Sequence, residues 1–313
     1  MKKLVLAADL GGTNLRMAVV GEDGEILHRV RGTTPPNRTR GEVLGLIQDL
    51  AAQCIRETNS GTVISGFGIA APAVVDQSRG VIRAAPNLPD LNGFAISDDL
   101  AERLKLPVIL ENDATAAGIG EHWRGASKGF DTSICLTLGT GVGGGLIVNG
   151  QPLRGIDGTA GEVGHVCVEP FGAPCGCGSV GCLEQYASAT AVVRMARLLK
   201  AEYPSSEIDT DGVLTSLDIY NAAVNGDAMA IEVFRLFGFY LGVAIGGLVN
   251  VLNPEVIVIG GGASDAWPLF IDTARDEMVR RAFREPAERV KLVRAGLGDD
   301  AGILGVAKLA FQS

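Results

Sequence analysis

Four side chains that commonly bind metal ions lie close together in the middle of the 313-residue chain. Cys175, Cys177 and Cys182 fall within eight positions, and His165 precedes the first of them by ten residues. One imidazole and three thiolates form a closed tetrahedral ligand set, which is typical of structural zinc. Two cysteines one residue apart point to opposite sides of a regular strand, so the glycines of "CGCGSVGC" must curl the loop. The pattern predicts a structural Zn²⁺ site, with three reduced core thiols as the alternative.

A glycine-rich stretch, "LTLGTGVGGGLIVNG" at residues 136–150, predicts a close approach between the backbone and a ligand. It contains a G-x-G-x-x-G match, but that dinucleotide fingerprint requires a helix directly after the glycines. Here an apolar run and an Asn-Gly turn follow, which is the pattern of a β-hairpin. We therefore expect a strand-turn-strand unit whose bare N–H groups bind phosphate, and a dinucleotide-binding fold is a minor alternative.

Two further glycine clusters favour a polyphosphate site. "DLGGTN" at residues 9–14 follows the first apolar run, and "VIVIGGGAS" at residues 256–264 follows a second buried segment. Asp9, at the end of the first predicted strand, suits a Mg²⁺ ion bound directly or through water. Each cluster alone is equally well explained as a tight turn without a ligand. Taken together, they indicate a nucleotide phosphate tail held from two sides.

The motif "ENDA" at residues 111–114 places a carboxylate between a predicted strand and a predicted helix. Asp113 would lie at the positive end of the helix dipole, which keeps a carboxylate ionised. An ionised carboxylate can orient a hydroxyl group and accept its proton. From the local sequence alone, with the helix starting at Asn112 or Asp113, a plain helix N-cap is the slightly better interpretation of Asp113.

These motifs must be positioned by two α/β domains. The opening pattern of strand, glycine turn and strand recurs from residue 132, and each copy is followed by helices and further strands. We expect a small domain at residues 1–118, with a C-terminal helix at residues 300–313 packing back on it. This helix is predicted to be capped by Asp299 or Asp300. Residues 119–299 form the larger domain, which carries the zinc site, and an interdomain cleft is expected between the two.

Composition excludes several classes of partner. The formal charge of −9 and the pI near 4.9 argue against nucleic acid or an anionic membrane. The uncharged segment at residues 236–254 is predicted to be a buried helix, because it contains several glycines and leads directly into a strand. The first apolar run ends at Asp9, too short for an export signal, so we expect a cytoplasmic protein. Cys54, Cys135 and Cys167 are predicted to be core residues.

The sequence resembles the ROK family of sugar kinases, within the actin-like ATPase superfamily, and is most similar to its bacterial glucokinases. The motifs that carry the resemblance are "DLGGTN", "ENDA", "LGTGVGGG", "GEVGH" and "CGCGSVGCLE", in this order. The resemblance implies a two-domain actin-like, ribonuclease H-like ATPase fold. It also implies ATP-dependent phosphorylation of the 6-hydroxyl of glucose, and a homodimer is common in the family.

The resemblance also implies roles for individual residues. It makes Asp113 the catalytic base and indicates sugar ligands at Asn87, Asn112, Asp113, Glu162, His165 and Glu184. The glycine motifs imply ATP contacts at Asp9, Gly11, Gly12, Thr13, Asn14, Thr140, Gly141, Gly143, Gly144, Gly261 and Gly262. The zinc ligands implied are the same four residues, and the family's histidine also touches the sugar. Ala73 stands where many relatives are expected to have glycine, and its methyl group would narrow the sugar pocket.

Three alternatives compete with a glucokinase. The first is a kinase for N-acetylmannosamine or N-acetylglucosamine, against which the Asn87 loop "APNLPDLNG" favours glucose. The second is a sugar-responsive transcriptional repressor, but the position of Asp9 leaves no room for a preceding helix-turn-helix. The third is an inactive sugar-binding module, which would be expected to lose Asp113 or the glycine turns.

Overall fold

The computed structural model describes residues 3–35, 37, 39–58 and 63–313. These residues group into two compact units. The first comprises residues 1–131, 145–161 and 295–313, and the second comprises residues 132–144 and 162–294. The first unit therefore continues beyond residue 118, where the sequence prediction ended the first domain.

The chain contains two five-stranded sheets, and both units contain helices. In the first unit the strands are β1 (Leu4–Leu10), β2 (Asn14–Gly21), β3 (Ile26–Thr33), β4 (Ile64–Ala71), the small pair β5 (Val74–Asp76) and β6 (Val81–Ala84), and β7 (Val108–Asn112). Its helices are α1 (Arg40–Glu57), α2 (Ile96–Leu104), α3 (Asp113–Arg124) and, at the C-terminus, α9 (Ala301–Ala310). Short 3-10 helices occur at Pro89–Leu91 and Gly298–Asp300.

The second sheet follows β7 in the chain. Its strands are β8 (Ser133–Leu138), β9 (Val142–Val148), β10 (Gln151–Pro152), β11 (Val256–Gly260) and β12 (Lys291–Arg294). The helices of the second unit are α4 (Ala189–Leu199), α5 (Ser216–Val224), α6 (Ala228–Leu252), α7 (Trp267–Arg281) and α8 (Arg284–Arg289). Short 3-10 helices occur at Val163–His165, Leu183–Gln185, Lys200–Glu202 and Gly262–Ala266.

The two sheets share one topology. Their strand orders are β3-β2-β1-β4-β7 and β10-β9-β8-β11-β12, so in each sheet the third, second, first, fourth and fifth strands lie side by side. In the first sheet β1 to β3 form an antiparallel meander, and β4 and β7 are added in parallel. In the second sheet β11 is likewise parallel to β8 and β12. The predicted recurrence of one supersecondary pattern is confirmed.

The first sheet is covered on both faces. Leu4, Leu6, Ala8 and Leu10 alternate along β1 into a cluster that includes buried residues of α1 and α2. Val5 and Ala7 of β1 face a second cluster, to which α9 contributes Ile303, Leu304, Val306 and Ala307. Helix α9 thus packs on the sheet of the first unit. Asp300 occupies the N-cap position of α9, one of the two predicted, but its side chain makes no capping hydrogen bond. Its carboxylate is instead paired with Arg29, at 2.9 Å.

Helix α6 is the uncharged segment noted in the sequence, extended at its N-terminal end to Ala228. By length and composition it could cross a membrane, and 56% of its most apolar stretch is buried inside the protein. It packs against α7, where the Phe237 and Phe270 rings lie 5.0 Å apart. A methyl group at Gly242 would overlap the backbone of Ala274, so glycine allows the two helices to approach closely. The predicted buried helix, followed by the fully buried strand β11, is confirmed.

Candidate active site

The strand β7 and the helix α3 meet at the motif "ENDA". Asn112 is the N-cap of α3, because its Oδ1 accepts a hydrogen bond from the Thr115 N–H at 2.9 Å. Its Nδ2 donates to the Ala73 carbonyl at 3.2 Å and to Asp113 Oδ1 at 3.2 Å. Asn112 therefore supplies the cap, and Asp113 is the first helical residue. The Ala114 N–H also donates to Asp113 Oδ1, at 2.8 Å.

The first glycine turn connects β1 and β2 in the first unit. The Gly11 N–H donates to the Asn14 carbonyl at 2.8 Å, and Thr34 Oγ1 donates to the Gly11 carbonyl at 2.9 Å. Thr13 is exposed, while Gly11, Gly12 and Asn14 are partly buried. The turn is therefore held in shape by its own backbone and by Thr34.

Asp9 is partly buried and lies next to the last residue of β1, close to this turn. Its carboxylate lies 3.8 Å from the Arg16 guanidinium, and Arg16 also binds the Asp299 carboxylate at 2.9 Å. Burial raises the pKa of Asp9, while the charge of Arg16 lowers it and that of Asp299 raises it further. Arg16 offsets only part of the cost of burying the Asp9 charge, and a second cation beside Asp9 would offset the rest.

The loop that carries Asn87 is fixed at its base. Asn92 Oδ1 accepts a hydrogen bond from the Ala85 N–H at 2.7 Å, and Arg40 donates twice to the Asp90 carbonyl, at 3.0 and 3.2 Å. The Arg40 guanidinium also lies 4.4 Å from the centre of the Phe94 ring. Asn87 itself is exposed at the surface of the first unit.

The second glycine turn joins β8 and β9 in the second unit. The Gly139 N–H donates to the Gly141 carbonyl at 2.9 Å, and the chain continues directly into strand β9. The strand-turn-strand prediction is confirmed, and the dinucleotide-binding alternative, which requires a helix here, is wrong. Within β9, Gly144 is buried and Gly143 is partly buried, while Thr140 is exposed at the tip of the turn.

Glu184 is bonded to this turn. Its Oε2 accepts a hydrogen bond from the Val142 N–H at 3.1 Å. A methyl group at Gly141 would overlap Glu184 Oε2 and would lie 3.1 Å from its Cδ atom. A side chain at position 141 would therefore displace the Glu184 carboxylate from the turn.

The third glycine cluster lies beside the second turn. Gly261 has a φ angle of 83°, a left-handed value that favours glycine, and a methyl group there would meet the backbone of Leu138, the last residue of β8. The short helix Gly262–Ala266 then begins. The second and third clusters are thus in direct contact within the second unit.

The four predicted metal ligands converge. One candidate ligand atom from each of His165, Cys175, Cys177 and Cys182 lies within 4.8 Å of the others. The Cys177 and Cys182 sulfurs are 3.6 Å apart, and His165 Nδ1 is 3.7 Å from Cys175 Sγ. Tetrahedral zinc with bonds of ~2.3 Å places sulfurs ~3.8 Å apart, so these spacings fit zinc.

Further contacts surround this metal-ligand cluster (His165, Cys175, Cys177, Cys182). Gln185 Nε2 donates to Cys175 Sγ at 3.7 Å, a contact of the kind that orients metal ligands. The Ser179 backbone N–H and the Cys175 side chain lower the pKa of the Cys177 thiol. Burial raises the pKa of Cys182 to about 12. His165 Nε2, on the other side of the ring, lies 3.9 Å from the half-exposed Glu162 carboxylate.

The neighbouring Cys167 is exposed, so its predicted place in the core is wrong. It lies in the loop that pairs with Cys182 in an isolated β-bridge. Cys54 and Cys135 are buried as predicted, and burial raises the pKa of Cys54 to about 11.

A cavity of about 620 Å³ in the second unit was not anticipated from the sequence. It opens beside the second glycine turn and is lined by Thr140, Ala189, Thr190, Val193, Arg194, Arg197 and Leu198. Arg194 Nη2 donates to the Gln185 carbonyl at 2.5 Å, and among the described residues its buried Nε has no hydrogen-bond acceptor. Only the helical spacing along α4 could have indicated this surface, and the same spacing is typical of an ordinary core helix.

Comparison with known proteins identifies the family. The family model described as "ROK family" matches residues 5–313. The chain belongs to the ROK family. The glucokinase of Halalkalibacterium halodurans is 39% identical to it, over 98% of this chain and 94% of that protein. The glucokinase of Thermotoga maritima is 37% identical, over 99% and 98% of the two chains.

A solved structure supports the same assignment. The crystal structure of a ROK family glucokinase from Streptomyces griseus, in complex with glucose and AMPPNP, superposes with a TM-score of 0.82. The two chains are 36% identical, and the match covers 99% of this chain and 100% of the other. The predicted actin-like, ribonuclease H-like ATPase fold is confirmed, while the interdomain cleft stays a prediction.

Proposed function

We propose that this chain is a glucokinase that transfers the γ-phosphoryl group of ATP to the 6-hydroxyl of glucose. The activity agrees with the names of full-length relatives that are 37% and 39% identical. One observation carries the proposal from the family to this chain: the Asp113 carboxylate lies at the N-terminus of α3, where Asn112 Nδ2 and the Ala114 N–H donate hydrogen bonds to its Oδ1 and favour its ionised form.

Asp113 is the proposed general base. Hydrogen bonds from the Ala114 N–H and Asn112 Nδ2 to its Oδ1, together with the α3 dipole, favour the ionised carboxylate. As the sugar 6-oxygen bonds to the γ-phosphorus, the carboxylate accepts the hydroxyl proton. The bond between the γ-phosphorus and the β,γ-bridging oxygen breaks at the same time, and ADP leaves with that oxygen.

Glycine positions with open space support phosphate binding. At Gly12, Gly139 and Gly262, one in each glycine cluster, no described atom beyond the adjacent residues lies within 4 Å of the place a Cβ would take. None of the three has a left-handed φ angle. The backbone at these three positions is therefore open to a ligand, and because each lies in a glycine cluster we propose that the ligand is phosphate.

The proposed nucleotide contacts extend this argument. They comprise Asp9, Gly11, Gly12, Thr13, Asn14, Thr140, Gly141, Gly143, Gly144, Gly261 and Gly262. The cavity beside Thr140 is mostly apolar, which suits a flat base. Asp9 would hold Mg²⁺, which is usually bound by one or two carboxylates together with the substrate phosphates, and the ion would neutralise charge on those phosphates.

The proposed sugar ligands are Asn87, Asn112, Asp113, Glu162, His165 and Glu184. Glu162 and Glu184 offer carboxylate oxygens, which can accept paired hydroxyl hydrogen bonds and reject analogues that lack a hydroxyl. The metal-ligand cluster would hold a structural Zn²⁺. Since His165 presents Nδ1 to the cluster and Nε2 towards Glu162, the ion would fix the position of this part of the pocket.

The first test is an ADP-release assay with glucose, mannose, N-acetylmannosamine and N-acetylglucosamine, with zinc content measured on the same sample. We expect turnover to be fastest with glucose and about one zinc per chain. Faster turnover with an N-acetylated sugar would favour the alternative, a kinase for N-acetylmannosamine or N-acetylglucosamine. If none of the four sugars causes ADP release, the proposal is refuted. Mass measurement in solution tests the proposed homodimer, and cell fractionation tests the proposed cytoplasmic location.

The second test replaces the base. Asp113→Asn keeps the shape of the side chain but removes its basicity, so turnover is expected to fall roughly 10²–10⁴-fold. Glucose and AMPPNP affinities, measured by calorimetry, should change much less. Near-normal turnover by this variant would remove Asp113 from the role.

A further inference from the structure

We propose that Arg154 is a positioning residue for the phosphoryl transfer and acts on Asp113 through the buried carboxylate of Glu111. The inference rests on the proposed function. Neither residue is among those that the family resemblance assigns to a substrate or a metal.

Glu111 is a buried acid on the strand that delivers the proposed base. It lies on β7, two residues before Asp113, and its side chain is only 2% exposed. Both of its oxygens are engaged. Oε1 accepts a hydrogen bond from the Asn112 N–H at 3.0 Å, and Oε2 accepts from Arg154 Nε at 2.8 Å and Nη2 at 2.7 Å. The Arg154 guanidinium is therefore linked through the Glu111 carboxylate to the backbone N–H of Asn112, the residue whose side chain caps α3.

The charge of Arg154 matters because of where Glu111 lies. Burial raises the pKa of Glu111, and the nearby Arg154 guanidinium opposes this effect. Without the guanidinium, Glu111 would either bind a proton or remain as an unpaired buried charge. A protonated Glu111 is a weaker acceptor for the Asn112 N–H, and an unpaired anion repels the Asp113 carboxylate. Either change disturbs the placement or the charge of the proposed base.

Backbone hydrogen bonds and packing anchor the loop that begins at Arg154. The Arg154 carbonyl accepts a hydrogen bond from the Ala160 N–H at 3.0 Å, which closes the loop of residues 154–160. At the far side of this loop, Arg83 donates to the Asp157 carbonyl at 3.2 Å. Gly158 has a φ angle of 82° and lies against the Val75 carbonyl, where no side chain would fit. Because the loop is anchored, the guanidinium is pre-organised and loses little freedom when it binds Glu111.

Arg83 provides a matched control. It anchors the same loop through Asp157 but makes no contact with Glu111, and its ion pairs with Asp76 and Asp157 are long, at 4.0 Å, and half-exposed. Arg83→Met therefore loosens the loop without altering the charge on β7. Arg154→Met removes the guanidinium from Glu111 and retains the aliphatic length of the side chain.

The experiment measures kcat and KM for glucose and ATP with the unaltered enzyme, R154M, R154K, R83M and R154M/E111Q, per folded molecule. We expect R154M to lower kcat about 10- to 100-fold, which corresponds to ~1.4–2.8 kcal/mol, with both KM values within about threefold. R154K keeps the charge and should recover part of kcat. R154M/E111Q removes the unpaired carboxylate and should recover more of it, whereas R83M should stay near the unaltered enzyme.

Three results would overturn the inference. Unchanged kcat in R154M, with a lower melting temperature, would make Arg154 purely structural. An equal loss of kcat in R83M would assign the effect to loop anchoring. No recovery in R154M/E111Q would show that Glu111 does not mediate the effect. If the unaltered enzyme phosphorylates no hexose, the proposed function fails and this inference fails with it, whereas normal turnover by R154M overturns this inference alone.

Discussion

The contact between Gly141 and Glu184 allows a sharp test of how the nucleotide loop is held. A methyl group at position 141 would overlap Glu184 Oε2, so in Gly141→Ala the carboxylate has to withdraw. Withdrawal breaks its hydrogen bond from the Val142 N–H, now 3.1 Å long. A hydrogen bond to a charged group contributes roughly 1.5–3 kcal/mol net. Since ~1.4 kcal/mol is a factor of ten, we expect the Kd for AMPPNP to rise about 10- to 100-fold.

The assay is calorimetric titration of AMPPNP into four proteins: unaltered, Gly141→Ala, Glu184→Ala and the double variant. Direct binding is measured because Glu184 is also a proposed sugar ligand, so turnover would mix two effects. Once the carboxylate is absent, the added methyl group has nothing to displace. The double variant should therefore bind AMPPNP as Glu184→Ala does, a large coupling between neighbouring residues.

Gly247→Ala is the control for the substitution itself. Gly247 lies on α6 in the same unit, and among the described residues no atom outside its own helix turn and neighbours would contact the new methyl group within 4 Å. This variant should bind AMPPNP normally. If Gly141→Ala weakens binding equally with and without Glu184, the methyl group obstructs the nucleotide itself, and the reasoning about Glu184 is refuted.

Two further predictions concern stability. Glu121 is fully buried and accepts backbone hydrogen bonds from Ala126, Gly296 and Leu297 at 2.7, 3.1 and 2.9 Å. Glu121→Ala leaves these donors unsatisfied and should lower the free energy of unfolding by about 3 kcal/mol or more, measured by urea denaturation, with Glu121→Gln intermediate. A loss below about 1 kcal/mol would contradict this account. Chelation of zinc should lower the melting temperature and weaken glucose binding, and added Zn²⁺, but not Mg²⁺, should restore both. Unchanged melting would exclude a structural metal.

Local sequence signals predicted the elements around the site well. The turn after β8 was assigned correctly because an apolar run and an Asn-Gly pair follow the glycines, and these features act within a few residues. The start of α3 was limited to Asn112 or Asp113 for the same reason. The three-dimensional structure is needed to identify Asn112 as the N-cap, since both side chains are able to cap a helix.

The sequence does not predict contacts that depend on residues far apart in the chain. Asp300 is a reasonable cap for α9 from the local sequence, but Arg29 on β3 binds its carboxylate. Cys167 has apolar neighbours in the sequence, yet the loop around the metal-ligand cluster leaves it exposed. The cavity along α4 depends on the position of the second glycine turn, which is separated from α4 by the whole zinc loop. Such tertiary effects leave no periodic signal in the chain.

The zinc loop is joined to the proposed nucleotide site by four consecutive residues, 182–185. Cys182 belongs to the metal-ligand cluster, and Glu184 holds the second glycine turn through the Val142 N–H. Gln185 donates to Cys175 Sγ with its side chain, and its carbonyl accepts from Arg194 in the cavity wall. These contacts all lie within one unit, so a displacement of this short segment must disturb the metal ligands, the glycine turn and the cavity together. A metal that takes no part in the chemistry can therefore influence the geometry of both proposed substrates.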